Sequence, residues 1–245
     1  MTRRLFSAAL DLFFPPSLLD GGARALTTGL SPEAWSQVTF IDIDAPCCDG
    51  CGAPFEYETG LHCAPCQAKP RAFERARAAC VYDEASRDLI LQYKHADRTK
   101  LAPMFAAWVG RAAGALLSEA DLIAPAPLHP GRLFRRRYNQ AAEIARLVAR
   151  SAGLSYLPDA LLRRRDTGSQ AGRSGAGRRR NVASAFEVSP SGVAKIAGRR
   201  VLLIDDVLTT GATAEACARA LKAGGAAGVD VAVIARVKAA ASLPI

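Results

Sequence analysis

The sequence predicts an α/β fold: a parallel sheet with helices on both faces, behind a small cysteine-bearing module. Three observations carry this. Downstream of residue 78, short apolar runs alternate with stretches of helical periodicity, as in a sheet whose crossovers are helices. The run Val201-Leu-Leu-Ile204 leads directly into Asp205 and Asp206, then a Thr-Gly turn, then a new helix. Two Cys-x-x-Cys pairs, Cys48/Cys51 and Cys63/Cys66, precede all of it.

Composition narrows the class. Of 245 residues, 50% are hydrophobic and 22% charged, which suits a folded chain with a real core and excludes a disordered one. The length holds one ordinary domain plus a small module. No apolar run reaches the roughly 20 residues of a membrane helix. The formal charge is +9, and it is unevenly spread. Residues 131–180 hold 13 Arg against 3 acids, more than the whole excess of the chain. Concentrated arginine points to a phosphate-bearing partner, a small molecule or a nucleic acid, although an Arg- and Ala-rich genomic bias contributes too.

At the N-terminus, Met1–Leu10 looks briefly like an export signal. Asp11 interrupts it, however, and no small-residue cleavage site precedes Pro15-Pro16. Leu5, Phe6, Ala9, Leu10 and Phe13 fall at helical spacing, so a short amphipathic helix is expected. With several thiols and no export signal, the expected compartment is the cytoplasm. The cysteine pairs follow, 11 residues apart. Each can form a tight turn with both sulfurs pointing one way, and two such turns make a tetrahedral four-sulfur cage for structural zinc. Metal candidates are therefore Cys48, Cys51, Cys63 and Cys66, against the alternative of free or redox-active thiols. Cys47 is spaced less well, His62 is a neighbour rather than a ligand, and Cys80 and Cys217 belong to apolar surroundings. A closed four-ligand site has no open position for substrate, so this zinc would be structural.

Residues 67–78 read as a basic, proline-marked connector. Then come a strand at Ala78–Tyr82, a helix at Ala85–His95 and an Ala-rich helix at Leu101–Leu117. A buried strand follows in Asp121–Leu128, and a helix at Asn139–Ala152. Residues 163–181, rich in Gly, Arg and Ser, lack periodicity and read as a loop. The strand Arg199–Val207, the helix Thr213–Ala223 and the strand Val229–Val237 close the pattern.

The segment Val201–Thr213 carries the most chemistry. A buried strand delivers two carboxylates at its C-terminal edge, and small hydroxylic residues then open a helix. Free backbone N–H groups at a helix start, with Thr hydroxyls and a glycine that permits close approach, make a phosphate cradle. The carboxylates do not suit a bare phosphate. They suit sugar hydroxyls or a divalent cation beside it. The combination reads as a phosphorylated sugar with magnesium at the C-terminal edge of the sheet.

Val201–Thr213 resembles the phosphoribosyl-pyrophosphate (PRPP) signature of type I phosphoribosyltransferases. Other segments narrow the resemblance to the competence protein F (ComF)/GntX family. These are Leu89–Arg98, Ala124-Pro-Ala-Pro-Leu128 with Arg137-Tyr-Asn-Gln140, and Gln170 with Arg178-Arg-Arg-Asn-Val182 and Phe186. The Cys48–Cys66 knuckle matches its zinc ribbon. The resemblance implies a type I phosphoribosyltransferase-like parallel sheet over 71–245, preceded by an N-terminal helix and zinc-ribbon module over 1–70. It further implies that Asp205 and Asp206 contact the ribose hydroxyls, directly or through Mg²⁺, and that Thr209, Thr210, Gly211, Ala212 and Thr213 hold the 5-phosphate. Lys94 and Arg98 would lie by pyrophosphate, making Asp205, Asp206, Lys94 and Arg98 the catalytic candidates. Gln170, Arg178 and Asn181 would belong to a hood loop closing over the site.

The chain departs from the family pattern. Family members often carry two knuckles, but Phe14–Asp20 and Leu30–Trp35 contain no Cys where the first would stand, so one zinc is expected. Tyr138 follows Arg137 where the family has Gly-Phe. Purine-salvage relatives place an Asp base where Thr209 stands, so the acceptor side is not legible. Three functions compete: transfer of phosphoribosyl from PRPP to an unidentified nitrogen nucleophile, with a role in DNA uptake; a single-stranded DNA-binding accessory of transformation, partnered with the competence helicase machinery; and a PRPP sensor without turnover.

Overall fold

The computed structural model describes residues 29–55, 60–94, 99–129, 131, 133, 138–164 and 185–238. The expected helix within 1–28, Arg98, and the 165–184 stretch with Gln170, Arg178 and Asn181 lie outside them. The chain divides into two compact units, Met1–Thr39 and Phe40–Ile245. In the first, helix α1 (Pro32–Gln37) starts on Ser31, whose side chain accepts from the Ala34 N–H at 3.1 Å.

The second unit holds the sulfur cluster and the sheet. Helix α2 (Ala64–Ala68) leads to β1 (Ala76–Val81), α3 (Glu84–Tyr93), α4 (Ala102–Ala112) and α5 (Gly114–Leu117). Then follow β2 (Leu122–Pro125), α6 (Gln140–Ala152), β3 (Ser155–Tyr156), β4 (Leu161–Arg163), β5 (Phe186–Val188), α7 (Pro190–Ile196), β6 (Arg200–Leu208), α8 (Ala212–Ala223) and β7 (Gly228–Arg236). The main sheet has the order β1-β7-β6-β2-β3 and every pairing in it is parallel. The type I phosphoribosyltransferase-like architecture expected from the sequence is thus observed: a parallel sheet between helices.

Burial explains the order. Every residue of β7 is buried, as a central strand covered on both faces requires. Its one acid, Asp230, is offset by Arg200 at 2.8 Å and Arg75 at 3.2 Å. Helices α4 and α6 cover one face, while α8 with the small antiparallel β4–β5 pair covers the other. On the α8 side Val201, Leu203, Cys217, Leu221, Val229, Val231 and Val233 share one core cluster.

Several boundaries differ from expectation. The connector over 67–78 contains the last two residues of α2 and the first three of β1. The Ala-rich helix is interrupted at Ala113 (φ −97°, ψ 12°), just before Gly114, a weak helix former. Arg163 is not in a loop. It ends β4, which pairs with Phe186 across the small sheet. Strands β3, β4 and β5 are two or three residues long, too short to show a period of two.

Candidate functional site

The sheet places the site. From β2 the chain crosses through α6 to β3 in one direction, and from β6 it crosses through α8 to β7 in the other. The C-terminal ends of β2 and β6 therefore flank the point where connections diverge, which is where open parallel sheets leave a crevice. A cavity of about 320 Å³ lies there, lined by residues including Tyr82, Lys94, Asn139, Arg163, Asp205, Asp206, Thr209 and Thr213. That volume is within the ~300–1,000 Å³ typical of small-molecule sites.

Asp205 and Asp206 are consecutive residues near the end of β6, so their side chains leave opposite faces of the sheet. Asp206 turns to the side of α3 and α6, where its Oδ2 meets Lys94 Nζ at 2.8 Å. Asp205 follows Val201 and Leu203 toward α8 and its buried Cys217. Burial first, and the adjacent Asp206 carboxylate second, push the Asp205 carboxyl up to about 7, against the Asp206 N–H it accepts at 2.9 Å and the charges of Lys94 and Arg163. The cavity thus carries an ion-paired carboxylate on one wall and a carboxyl that ionises reluctantly on the other.

Lys94 is held from behind. Helix α3 opens with a reciprocal capping box, the Ser86 N–H donating to Asp83 and the Asp83 N–H to Ser86 Oγ, both at 3.0 Å. It ends at Tyr93, fully buried, whose hydroxyl donates to the Gln140 carbonyl at 3.0 Å. The Tyr138 hydroxyl in turn donates to the Tyr93 carbonyl. Tyr138 thus uses a hydroxyl that a Phe at this position would lack.

The turn after β6 is built for close approach. Gly211 is the N-cap of α8 in the left-handed region (φ 81°), and no side chain caps the helix there. The first N–H groups of α8 therefore lack the usual side-chain acceptor and can serve an anion. A Cβ on Gly211 would lie 3.2 Å from Arg71 Nη1. The acid in this first turn, buried Glu215, is offset by Arg71 at 2.7 Å and Arg219 at 3.2 Å. Thr209 and Thr213 line the cavity, while Thr210 offers its carbonyl to Arg71.

The four predicted sulfur ligands converge, with all ligand atoms within 4.8 Å of one another. Cys47 and His62 are not in that group; Cys80 and Cys217 are fully buried in the core. Burial works to raise the Cys51 thiol, but the Arg236 guanidinium hydrogen-bonded to it prevails and brings it down to about 7. Cys66, by contrast, is pushed up to about 12 by burial and by the Cys51 charge. Four thiolates this close repel one another unless a cation sits among them, and the all-sulfur donor set suits Zn²⁺. The residues fit the metal. Its chemistry there would be structural, since four protein ligands complete a tetrahedron.

The sequence assigned no role to Tyr82, Arg71 or Arg236, and placed Arg163 among the arginines of the hood loop over 163–181, whereas it ends β4. Tyr82 directly follows β1, and its place beside the crevice depends on β1 pairing with β7, which only the topology reveals.

The phosphoribosyl transferase domain family matches residues 140–244, which run from α6 through β6 and α8 to beyond β7. Competence protein F of Haemophilus influenzae is 30% identical over 221 residues, covering 88% of this chain and 94% of that protein. DNA utilization protein YhgH of Escherichia coli K12 is 30% identical over 195 residues, covering 77% of this chain and 83% of that protein. Among solved structures, the glutamine PRPP amidotransferase of B. subtilis aligns over 61% of this chain and 30% of its own, with a TM-score of 0.40 and 18% identity.

Proposed function

Because the chain belongs to the competence protein F family and carries a phosphoribosyl transferase domain, we propose that it binds PRPP with Mg²⁺ at the end of β6 and serves DNA uptake or utilization. One observation carries the reading. A carboxylate pair, an uncapped helix start opening on Gly211, and Lys94 all meet at one cavity where the sheet's connections diverge.

In this reading residues 71–245 hold the ligand and residues 1–70 the zinc-bearing module. The 5-phosphate lies on Thr209–Thr213, where N–H dipoles and Thr hydroxyls meet it. Asp206 and Asp205 accept from the ribose hydroxyls or hold Mg²⁺, which, when bound, supplies charge to pyrophosphate. Lys94, now paired with Asp206, turns to pyrophosphate when that carboxylate takes up its ligand; Arg98 assists it. Transfer of the phosphoribosyl group to a nitrogen nucleophile, with the C1–O bond broken and pyrophosphate released, would then require water to be excluded, the task of the hood stretch with Gln170, Arg178 and Asn181.

Isothermal titration with PRPP and Mg²⁺ tests the binding. Heat with the wild type that disappears in Asp205→Asn/Asp206→Asn is expected, and no heat with the wild type would refute it. Pyrophosphate release on adding candidate acceptors then separates an enzyme from a sensor. The relatives' names, and the arginines at 178–180, favour a second reading as a single-stranded DNA-binding accessory. Neutralising Arg178–Arg180 should then flatten the salt dependence of DNA binding, and an unchanged slope counts against it.

A further inference from the structure

Two arginines outside every motif join the sulfur cluster to the phosphate turn. Arg71 Nη1 donates to the Thr210 carbonyl at 3.1 Å and to Glu215 at 2.7 Å. Arg71 and Cys66 line one hollow together with Gly50, beside the sulfur cluster. Arg236, the last residue of β7, donates to the Cys51 carbonyl at 2.6 Å and to Cys51 Sγ at 3.4 Å. It pairs across the sheet with Leu208, which immediately precedes Thr209, and its own carbonyl accepts from the Tyr82 N–H at 2.7 Å.

Charge explains the arrangement. A dication held by four thiolates keeps a net charge of about −2, and two guanidinium groups against its sulfurs cancel it. Among the described residues, Arg71 Nε and Arg236 Nε are the two buried side-chain polar atoms without a partner. Both belong to the arginines that face the sulfurs, so their placement is paid in unsatisfied donors and makes sense chiefly through the charge beside them.

We propose that Arg71 is a positioning residue: anchored on the metal-loaded sulfur cluster, it fixes the Thr210–Gly211 turn in the form that accepts a phosphate, so that the metal site supports phosphate binding from behind. This rests on the reading of the turn as a phosphate site, and the test separates the two. Hydrogen exchange of the zinc-loaded protein without ligand should show amides of Thr210–Glu215 exchanging about tenfold faster in Arg71→Met, as for one lost charge-assisted hydrogen bond, with β6 and β7 unchanged and Arg71→Lys in between. In Co²⁺-substituted protein, PRPP with Mg²⁺ should shift the sulfur-to-cobalt absorption of the wild type and leave that of Arg71→Met in place. Wild-type exchange rates in Arg71→Met would overturn the proposal, as would a ligand-bound wild type whose cobalt spectrum is unmoved. Should Arg71→Met not fold, Arg71→Gln and Arg71→Lys take the same exchange measurement. If PRPP fails to bind the wild type, the phosphate reading falls while exchange still decides whether Arg71 holds the turn.

Discussion

The sulfur cluster and the turn after β6 are built on opposite plans. At the cluster the ligand set is complete in itself: four sulfurs converge within 4.8 Å, with the Arg236 guanidinium hydrogen-bonded to Cys51 and Arg71 lining one hollow with Cys66. At the turn the groups are held ready instead. Gly211 leaves the start of α8 without a side-chain cap, and Asp205 is kept in a place where it ionises reluctantly. A saturated site supplies stability, whereas a site with unspent donors and a perturbed acid supplies binding. The two lie in one compact unit, with Arg71 reaching from one to the other.

This contrast can be broken by mutation. The largest effect is expected at the cluster. Cys48→Ser should abolish stoichiometric zinc, measured by elemental analysis, and cost several kcal/mol of stability, since structural zinc in small modules contributes on the order of 10 kcal/mol. At the turn, the reverse separation is expected. Asp206→Asn should keep its zinc and fold while weakening PRPP by about 10- to 100-fold in titration calorimetry, the range for a lost charge-assisted contact of ~1.5–3 kcal/mol.

Asp205 sharpens the point through pH. Its folded carboxyl titrates near 7, above the ~3.9 of an unfolded chain. The folded state therefore binds that proton more tightly, and the stability this gives, present in full below pH ~4, is lost as pH rises through about 7. Without Mg²⁺, Asp205→Asn should melt higher than the wild type at pH 8 and nearly level with it at pH 4, while losing PRPP binding. A variant that melts lower at pH 8 would mean that Asp205 is an ordinary structural carboxylate.

Smaller effects follow. Gly211→Ala must adopt φ 81° and crowd Arg71, at about 1–2 kcal/mol, and should weaken PRPP more than it lowers the melting temperature. Tyr138→Phe removes the hydroxyl bound to the Tyr93 carbonyl, at about 0.5–1.5 kcal/mol, seen as a small drop in thermal melting.

Much of this was written in the chain. The β6 strand, its two acids and the turn were legible because a buried apolar run, paired carboxylates and a glycine at a helix start each need particular residues in fixed order. The four cysteines were legible because tight turns demand their spacing. The walls of the cavity were not. Tyr82 and Arg163 reach it only through pairings with β7 and β5, far away in sequence. Arg71 looked like one more charge in a basic connector, and nothing local marks its contact with Thr210, 139 residues on. Tyr138 looked like a departure from a pattern, and its use appears only with Tyr93 beside it.

The most direct measurement is a crystal structure of the protein soaked with PRPP and Mg²⁺. The phosphoryl group of C5 is expected on the N–H groups of 210–213, with Asp205 and Asp206 at the ribose hydroxyls or the metal. Density for the sugar phosphate anywhere else, or an empty crevice at saturating PRPP, would contradict the account.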